Sequence, residues 1–345
     1  MASDARDPIV DLKRIAFLLE KAGEATYRVR AFRTVATVLA DAESGEVEQR
    51  AANNSLQRLT GVGEVTARCV TESLRGEVPV YLRRLEATED MPLDEASQQL
   101  RDRLRGDCHT HSDWSDGGSP IEEMAQTGRD LGHEYMVLTD HSPRLTVAHG
   151  LTADRLRGQL VEVAKVNAQL APFRLLAGIE VDIHDDGSLD QDGDLLDELD
   201  LVVASVHSGL RTPRAKMTDR LLAAVTNPRV NVLGHCTGRL ISGKRRPESE
   251  FDAEAVFAAC ADNDVAVEIN SRPERLDPPK RLLRLAVEAG CYFAIDSDAH
   301  APGQLDWQPN GCRRAAACGV DPDRVVNTWP ADRLLEWAGA SVKQP

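Results

Sequence analysis

The sequence lacks any run of about eighteen apolar residues, so no stretch reads as a membrane-spanning helix. Its opening, Met1-Ala2-Ser3-Asp4, has none of the basic and apolar character of a secretory leader. The seven cysteines are an odd number without a Cys-x-x-Cys pair, which argues for reduced thiols rather than a disulfide framework. A positive surplus is missing too: the formal charge is −15, so no global field draws in nucleic acid. Lysine is absent between Lys21 and Lys165, and arginine carries most of the positive charge. Together these absences predict a soluble, cytoplasmic protein with no membrane partner. Its 345 residues are enough for one large domain and a small one.

What is present is histidine in a pattern. In Asp107-Cys108-His109-Thr110-His111-Ser112-Asp113-Trp114-Ser115-Asp116, two histidines stand two residues apart with a carboxylate five further on. If 104–110 is a strand, both imidazoles point to one face, where they can meet one metal ion.

From residue 104 onward apolar, strand-like runs recur at 104–110, 135–139, 174–183, 201–206, 230–234, 265–270 and 292–295. Helical patterns at 120–131, 155–170, 214–225, 253–263 and 280–289 lie between them. Strands alternating with helices predict a distorted (β/α)7 TIM-like barrel of the α/β class. Functional groups of such barrels gather where strands end. Here those ends carry His109 and His111, Asp140-His141, Glu180, His207, His235, Asn270, and Asp298-Ala299-His300. Of nine histidines, only His133, His149 and His184 sit elsewhere.

Nitrogen and oxygen donors without dominant thiolate suit Zn2+, Mn2+ or Fe2+. Six histidines with Asp116, Glu180 and Asp298 exceed the needs of one ion, so two or three ions are expected. Closely spaced ions suit displacement at phosphorus. Alternation turns Cys108 and Cys236 away from the ligand face, which favours packing for both. Asp140 and Asp296 either orient imidazoles or cap loops. Arg144, Arg239, Lys244, Arg245, Arg246 and Arg272, all in loops after ligand-bearing strands, are the candidates for holding a substrate phosphate, Arg239 and Arg272 foremost; the run at 244–246 reads equally well as a solvated surface loop.

The first ninety residues read differently. Leu12, Ile15, Ala16 and Leu19 make one helical stripe, and Val29, Phe32, Ala36 and Leu39 a second. Leu56 and Leu59, then Gly61-Val62-Gly63, then Val65, Ala67, Val70 and Leu74 make a helix-hairpin-helix. Its glycines either let main-chain N–H groups approach a DNA phosphate, with Gly61, Val62 and Gly63 as the contact, or only permit a tight turn.

Residues 8–85 resemble the small helical DNA-binding domain that opens family X DNA polymerases, through Tyr27-Arg28-Val29-Arg30-Ala31-Phe32 and Leu59-Thr60-Gly61-Val62-Gly63-Glu64-Val65-Thr66-Ala67. The lysine that forms a Schiff base in the lyase members of that family is replaced here by Cys69, so no lyase chemistry is expected by that route. No room exists for a polymerase palm before His109, so no polymerase activity is expected either.

The ligand motifs His109-x-His111, Thr139-Asp140-His141, Gly178-Ile179-Glu180, Ser205-Val206-His207, Gly234-His235 and Asp298-Ala299-His300 resemble those of the PHP (polymerase and histidinol phosphatase) superfamily over about residues 104–320. The domain that ends bacterial family X polymerases is the nearest form, supported by Val147-Ala148-His149-Gly150-Leu151, Gly234-His235-Cys236-Thr237-Gly238-Arg239-Leu240 and Glu268-Ile269-Asn270. The resemblance implies three ions. One takes His109, His111, Glu180 and Asp298; a second shares Glu180 and adds His207 and His235; a third takes Asp116, His141 and His300. It also implies that Glu180, Asp298 and His207 are the catalytic set.

The expected division is an all-α helix-hairpin-helix domain at 1–88, a linker at 89–103 and the phosphoesterase domain at 104–345. The expected function is metal-dependent hydrolysis of phosphodiesters or phosphomonoesters at DNA ends or lesions, as a 3′–5′ exonuclease, 3′-phosphatase or abasic-site endonuclease in repair. Gapped, nicked or single-stranded DNA would be the partner. A small-molecule phosphatase of the histidinol-phosphatase type is the alternative, and a non-catalytic DNA-binding scaffold a third.

Overall fold

A computed structural model describes residues 6–88 and 91–340. The opening four residues, and Glu89 and Asp90 of the expected linker, lie outside the described residues. The chain forms two compact units, Met1–Pro92 and Leu93–Pro345.

The first unit is helical. Asp7 caps the helix Pro8–Lys21, its carboxylate accepting from the Ile9 N–H at 2.8 Å. The apolar stripe Leu12, Ile15, Ala16 and Leu19 meets Phe32, Val35 and Ala36 of helix Thr26–Ala40 in one core. Val70 of helix Glu64–Leu74 and Leu82 of helix Val80–Glu86 complete that core. Arg33 and the buried Glu20 pair at 2.7 Å within it. The short helices Glu46–Ala52 and Val80–Glu86 carry too little periodicity to be read from sequence.

The second unit is built on seven parallel strands: β1 (Gly106–Thr110), β2 (Tyr135–Leu138), β3 (Arg174–Asp182), β4 (Leu201–Ser205), β5 (Val232–Leu233), β6 (Ala266–Asn270) and β7 (Tyr292–Asp296). They pair in chain order from β1 to β7, and a right-handed helical crossover is the ordinary connection between such neighbours. The two ends of the sheet meet. The Asp298 N–H donates to the His109 carbonyl at 3.1 Å and the His111 N–H to the Ala299 carbonyl at 2.8 Å. The result is a nearly closed, distorted α/β barrel.

Alternation sorts each strand into an inner and an outer set. Val137, Leu176, Val203, Val232, Ala266 and Ala294 fill the interior. Met136, Leu138 and Leu175 face outward onto Met124, Val163 and Val166 of the flanking helices. Trp329 and Leu334, just before and within helix Ala331–Ala340, join the interior set at the strands' N-terminal end. The Asn231 amide secures that helix by donating to the Ala338 carbonyl at 3.0 Å.

One expectation from alternation fails. The β1–β2 register shifts between Asp107 and Thr110, so Cys108 packs among the interior side chains Tyr135 and Val137 instead of facing outward. Cys236 does lie in the outer core. The stretch 95–103 is a helix, Glu95–Arg103, packed against helix Gln308–Cys318, with Leu100 in the barrel's outer core.

Candidate metal centre

β3 outruns its neighbours, and its last residues position the middle of the site. Ile179 and Val181 enter the outer core, which leaves Glu180 and Asp182 facing the mouth. Both Glu180 oxygens are surrounded by imidazole. Oε1 lies 3.0 Å from His235 Nε2 and 3.3 Å from His207 Nε2. Oε2 lies 2.9 Å from His141 Nδ1, 3.4 Å from His109 Nε2 and 3.6 Å from His111 Nε2.

The remaining expected ligands join at the rim. Asp298 Oδ1 is 3.6 Å from His111 Nε2 and 3.5 Å from His300 Nδ1. Asp116 Oδ1 is 3.4 Å from His141 Nε2 and 3.3 Å from His300 Nε2. All nine residues expected as ligands, Asp116 included, therefore converge on one mouth, drawn from the ends of β1 and β3 and from the loops after β1, β2, β4, β5 and β7. The donor atoms fall into three overlapping groups: His111, Asp116, His141 and His300; His109, His111 and Glu180; and His141, Glu180 and His207. Each group can hold an ion, although His111, His141 and Glu180 each belong to two of them.

The donor set fits divalent metal on its own terms. Two atoms bound to one tetrahedral ion at about 2.05 Å stand about 3.3 Å apart. The contacts around Glu180 scatter around that separation. Buried Nε2 of His109, both ring nitrogens of His111 and both Glu180 oxygens make no hydrogen bond. So many buried donors and acceptors facing each other call for a cation.

The electrostatics point the same way. Burial pushes the Glu180 carboxyl up, but His207, His109 and His141 outweigh it and hold it well below the usual range. Burial lowers His141, while Glu180 and Asp116 more than reverse that and raise it to about 10. His109 is likewise raised, against its burial, by Glu180 and Glu268. His111 goes the other way: burial lowers it, and His300 and His141 add repulsion. Asp298 is held low against its burial by His111, Arg275 and Arg272.

Three residues that support the ligands were given no role at the site by the sequence, although Glu268 stands in one of its motifs. Glu268 sits deep in β6, with Oε1 2.6 Å from His109 Nδ1 and Oε2 accepting from the His235 N–H at 2.5 Å. Asp182 accepts from the His207 N–H at 3.0 Å and faces His207 Nδ1 at 3.5 Å. Each lies two residues from a named strand-end residue (Asn270 and Glu180), so strict period-two counting would have found both. Arg275 has no such signal; its Nε lies 3.1 Å from Asp298 Oδ2.

Asp140 serves the loop after β1, accepting from the Ser112 N–H at 2.8 Å, the Ser112 hydroxyl at 2.6 Å and the Gln159 amide at 2.6 Å. Asp296 accepts from the Cys108 N–H at 2.9 Å and from the Asn327 amide at 3.3 Å. Arg272 reaches the centre, its Nη1 3.4 Å from His300 Nδ1. Arg239 is turned into the protein, where its Nε donates to the Arg275 carbonyl at 3.0 Å and its Nη2 to that of Leu276. His149 is exposed at the mouth, His184 lies beside Arg144 and Asp190, and His133 is buried away from the centre.

In the helical unit Gly61 has φ +85°, and a Cβ there would stand 2.9 Å from Thr34 Cγ2. Gly63 is the N-cap of helix Glu64–Leu74, and its N–H donates to the Thr66 hydroxyl at 3.0 Å. The Val62 side chain enters the core of the unit, so it presents only its main chain to an outside group.

The barrel and its ring of imidazoles and carboxylates belong to a known class: residues 107–272 match the PHP domain family. The chain carries a PHP domain over that segment, which runs from β1 to β6. It is 41% identical over 225 residues to the DNA polymerase/3′-5′ exonuclease PolX of Bacillus subtilis (strain 168), covering 65% of this chain and 39% of that protein. It therefore spans about two fifths of that relative's length. It is 26% identical over 245 residues to the probable phosphatase YcdX of Escherichia coli (strain K12), covering 67% of this chain and 92% of that one. A solved structure of histidinol phosphate phosphatase from Lactococcus lactis subsp. lactis Il1403, complexed with zinc, L-histidinol and phosphate, aligns at a TM-score of 0.47 with 17% identity, over 63% of this chain and 95% of that one. Among the described residues no helix is long and apolar enough to cross a membrane.

Proposed function

We propose that this chain hydrolyses phosphoesters at DNA ends or lesions, using two or three divalent ions, Zn2+ or Mn2+, held by His109, His111, Asp116, His141, Glu180, His207, His235, Asp298 and His300. The observation that carries this reading is Glu180, whose two oxygens face different sets of imidazoles. That is the arrangement of a carboxylate shared between neighbouring ions. Ions bound there supply Lewis-acid stabilisation of the charge that develops on phosphoryl oxygens and make water a better nucleophile.

The chain's own groups do the rest. Glu268 fixes the tautomer and plane of His109, and Asp182 holds the His207 main chain by accepting from its N–H at 3.0 Å. Arg272, beside His300, is placed to bind a substrate phosphate oxygen. The open side of the centre is formed by Asp116, His300 and His207, the only ligands more than a tenth exposed.

The DNA reading rests on the hairpin at Gly61 to Gly63, where two exposed glycines lead into the N-terminus of helix Glu64–Leu74, and on the likeness to PolX. Cys69 stands in the lysine position of the lyase members. Burial pushes its thiol up to about 12, so it offers no nucleophile for a lyase step. We infer no polymerase and no Schiff-base lyase activity for these 345 residues.

The test is a panel of end-labelled gapped, nicked and single-stranded DNAs beside L-histidinol phosphate, given to the metal-loaded chain. Metal-dependent release from DNA ends is expected. Turnover of histidinol phosphate well above that on any DNA would replace this reading with a small-molecule phosphatase.

A further inference from the structure

Next to the metal centre lies a cavity of about 660 Å3 to which no role has been given. Its walls come from the loops after β4, β5 and β6, which begin at or near His207, His235 and Asn270, so it opens on the same rim. Four arginines line it, Arg214, Arg239, Arg246 and Arg281, against two acids, Glu248 and Glu250. Glu248 is shared between Arg239, at 3.5 Å, and Arg281. Arg214 pairs with Asp252 at 3.0 Å.

Arg246 is the odd member. It closes a small hairpin with Leu240, exchanging main-chain hydrogen bonds of 2.9 and 3.0 Å, and its Nε donates to the Gly238 carbonyl at 2.6 Å. The guanidinium is half-buried, yet no carboxylate among the described residues pairs with it. Burial, then repulsion from Arg275, lowers its pKa. Arg275 in turn is mostly buried beside Asp298, with its Nη1 making no hydrogen bond. Asp298 pairs with Arg275 and Asp277 offsets part of the repulsion, which leaves Arg246 as the cavity arginine without an ion pair of its own among the described residues.

The surroundings add to the positive potential. Arg214 and Arg281 stand in the first turns of helices Arg214–Val225 and Lys280–Glu288, whose N-terminal ends favour anions. The tip of the Leu240–Arg246 hairpin carries Lys244 and Arg245, both exposed. A hydrogen bond from the Ile241 N–H to the Glu274 carbonyl, 2.7 Å, ties that hairpin to the loop holding Arg272 and Arg275.

We propose that this arginine cavity is a second anion site, which holds a non-reacting phosphate of the substrate while the reacting phosphate sits on the metal centre. Its ligand is a polyanion with at least two phosphates, and the strand of a nucleic acid is the form that fits. The identity of that ligand rests on the DNA reading above; the existence of the site does not. A monoester with a single phosphate gains nothing from the cavity, so the site sets preference for chain-like substrates.

The experiment measures binding of inorganic pyrophosphate to the metal-stripped full chain by calorimetry at low salt. It then compares kcat/KM on a single-stranded deoxyoligonucleotide with that on bis(p-nitrophenyl) phosphate for the metal-loaded chain. Arg246→Gln should weaken pyrophosphate at least about tenfold and reduce the oligonucleotide preference by a similar factor, while lowering the salt slope of oligonucleotide binding by about one. Arg246→Lys should recover part of both. Because Arg246→Gln also leaves Gly238 without its donor, the exposed pair Arg214→Gln with Arg281→Gln serves as the second variant and should act in the same direction. Pyrophosphate binding unchanged in both variants overturns the site. Loss of pyrophosphate in the variants of a chain that ignores oligonucleotides supports the site and removes the DNA reading.

Discussion

Nδ1 of His109 lies 2.6 Å from Oε1 of Glu268, and both side chains are fully buried. The contact fixes which ring nitrogen of His109 is left to face Glu180, 3.4 Å away on the other side. A ligating imidazole held this way is both oriented and made a better donor. Glu268→Gln keeps the shape but not the charge. Metal affinity should fall about 10- to 100-fold, with hydrolysis falling in parallel at limiting metal. Competitive titration with a chromogenic chelator measures it. Wild-type affinity in Glu268→Gln would mean that the contact only fills space.

A second prediction concerns acid stability. His133 is buried away from the metal centre, and burial, helped by Arg101, lowers it to about 4. In the unfolded chain a histidine titrates near 6.5. Between those values the unfolded state binds the extra proton, so stability must fall as pH falls from about 6.5 to about 4 and stay level below. Above about 6.5 the contribution is complete. The shift corresponds to about 3 kcal/mol. Denaturant melts at neutral pH and near pH 4 should show that His133→Asn loses less stability on acidification than the wild type, by roughly that amount. Parallel losses in the two proteins would remove His133 from the account.

The hairpin of the helical unit gives a third test. A substitution at Gly61 is confounded, because φ is +85° and Thr34 is in the way. Gly63 has φ −91°, a Cβ there would meet only Thr66 Oγ1 at 4.0 Å, and it occupies the N-cap, where aspartate is favoured. Gly63→Asp should leave the melting temperature unchanged or raised. It also sets a negative charge where a phosphate is proposed to bind, so affinity for gapped DNA should fall at least about tenfold. Undiminished DNA binding in this variant would leave the glycines only their role in the turn.

Much of the barrel was legible because parallel strands covered on both faces read as unbroken apolar runs. The expected run at 201–206 became Leu201–Ser205, and 265–270 became Ala266–Asn270. Helix Arg214–Val225 was bounded to the residue. The weak point was β5, two residues long, whose apolar neighbours at 230–234 suggested a longer strand. The C-terminal helices went unread because their role, one packing on helix Glu95–Arg103 and one closing the barrel's floor, is tertiary and leaves no motif. At the site, strand-end histidines announced themselves by position. Glu268 hid inside a strand, and Arg275 hid in a loop, since nothing local says where a long side chain points. Cys108 shows the limit of counting, for one register shift in β1 reversed the face assigned to it.

The most direct test of the centre is the metal content and turnover of Glu180→Gln beside the wild type. Elemental analysis of the metal-loaded wild type should give two or three ions per chain, with hydrolysis of bis(p-nitrophenyl) phosphate. The variant should keep at most one tightly held ion and lose hydrolysis by about 10³-fold or more, because a carboxylate facing imidazoles on both of its oxygens cannot be replaced by an amide. A Glu180→Gln chain that retains the full metal complement and wild-type turnover would contradict the shared-carboxylate centre.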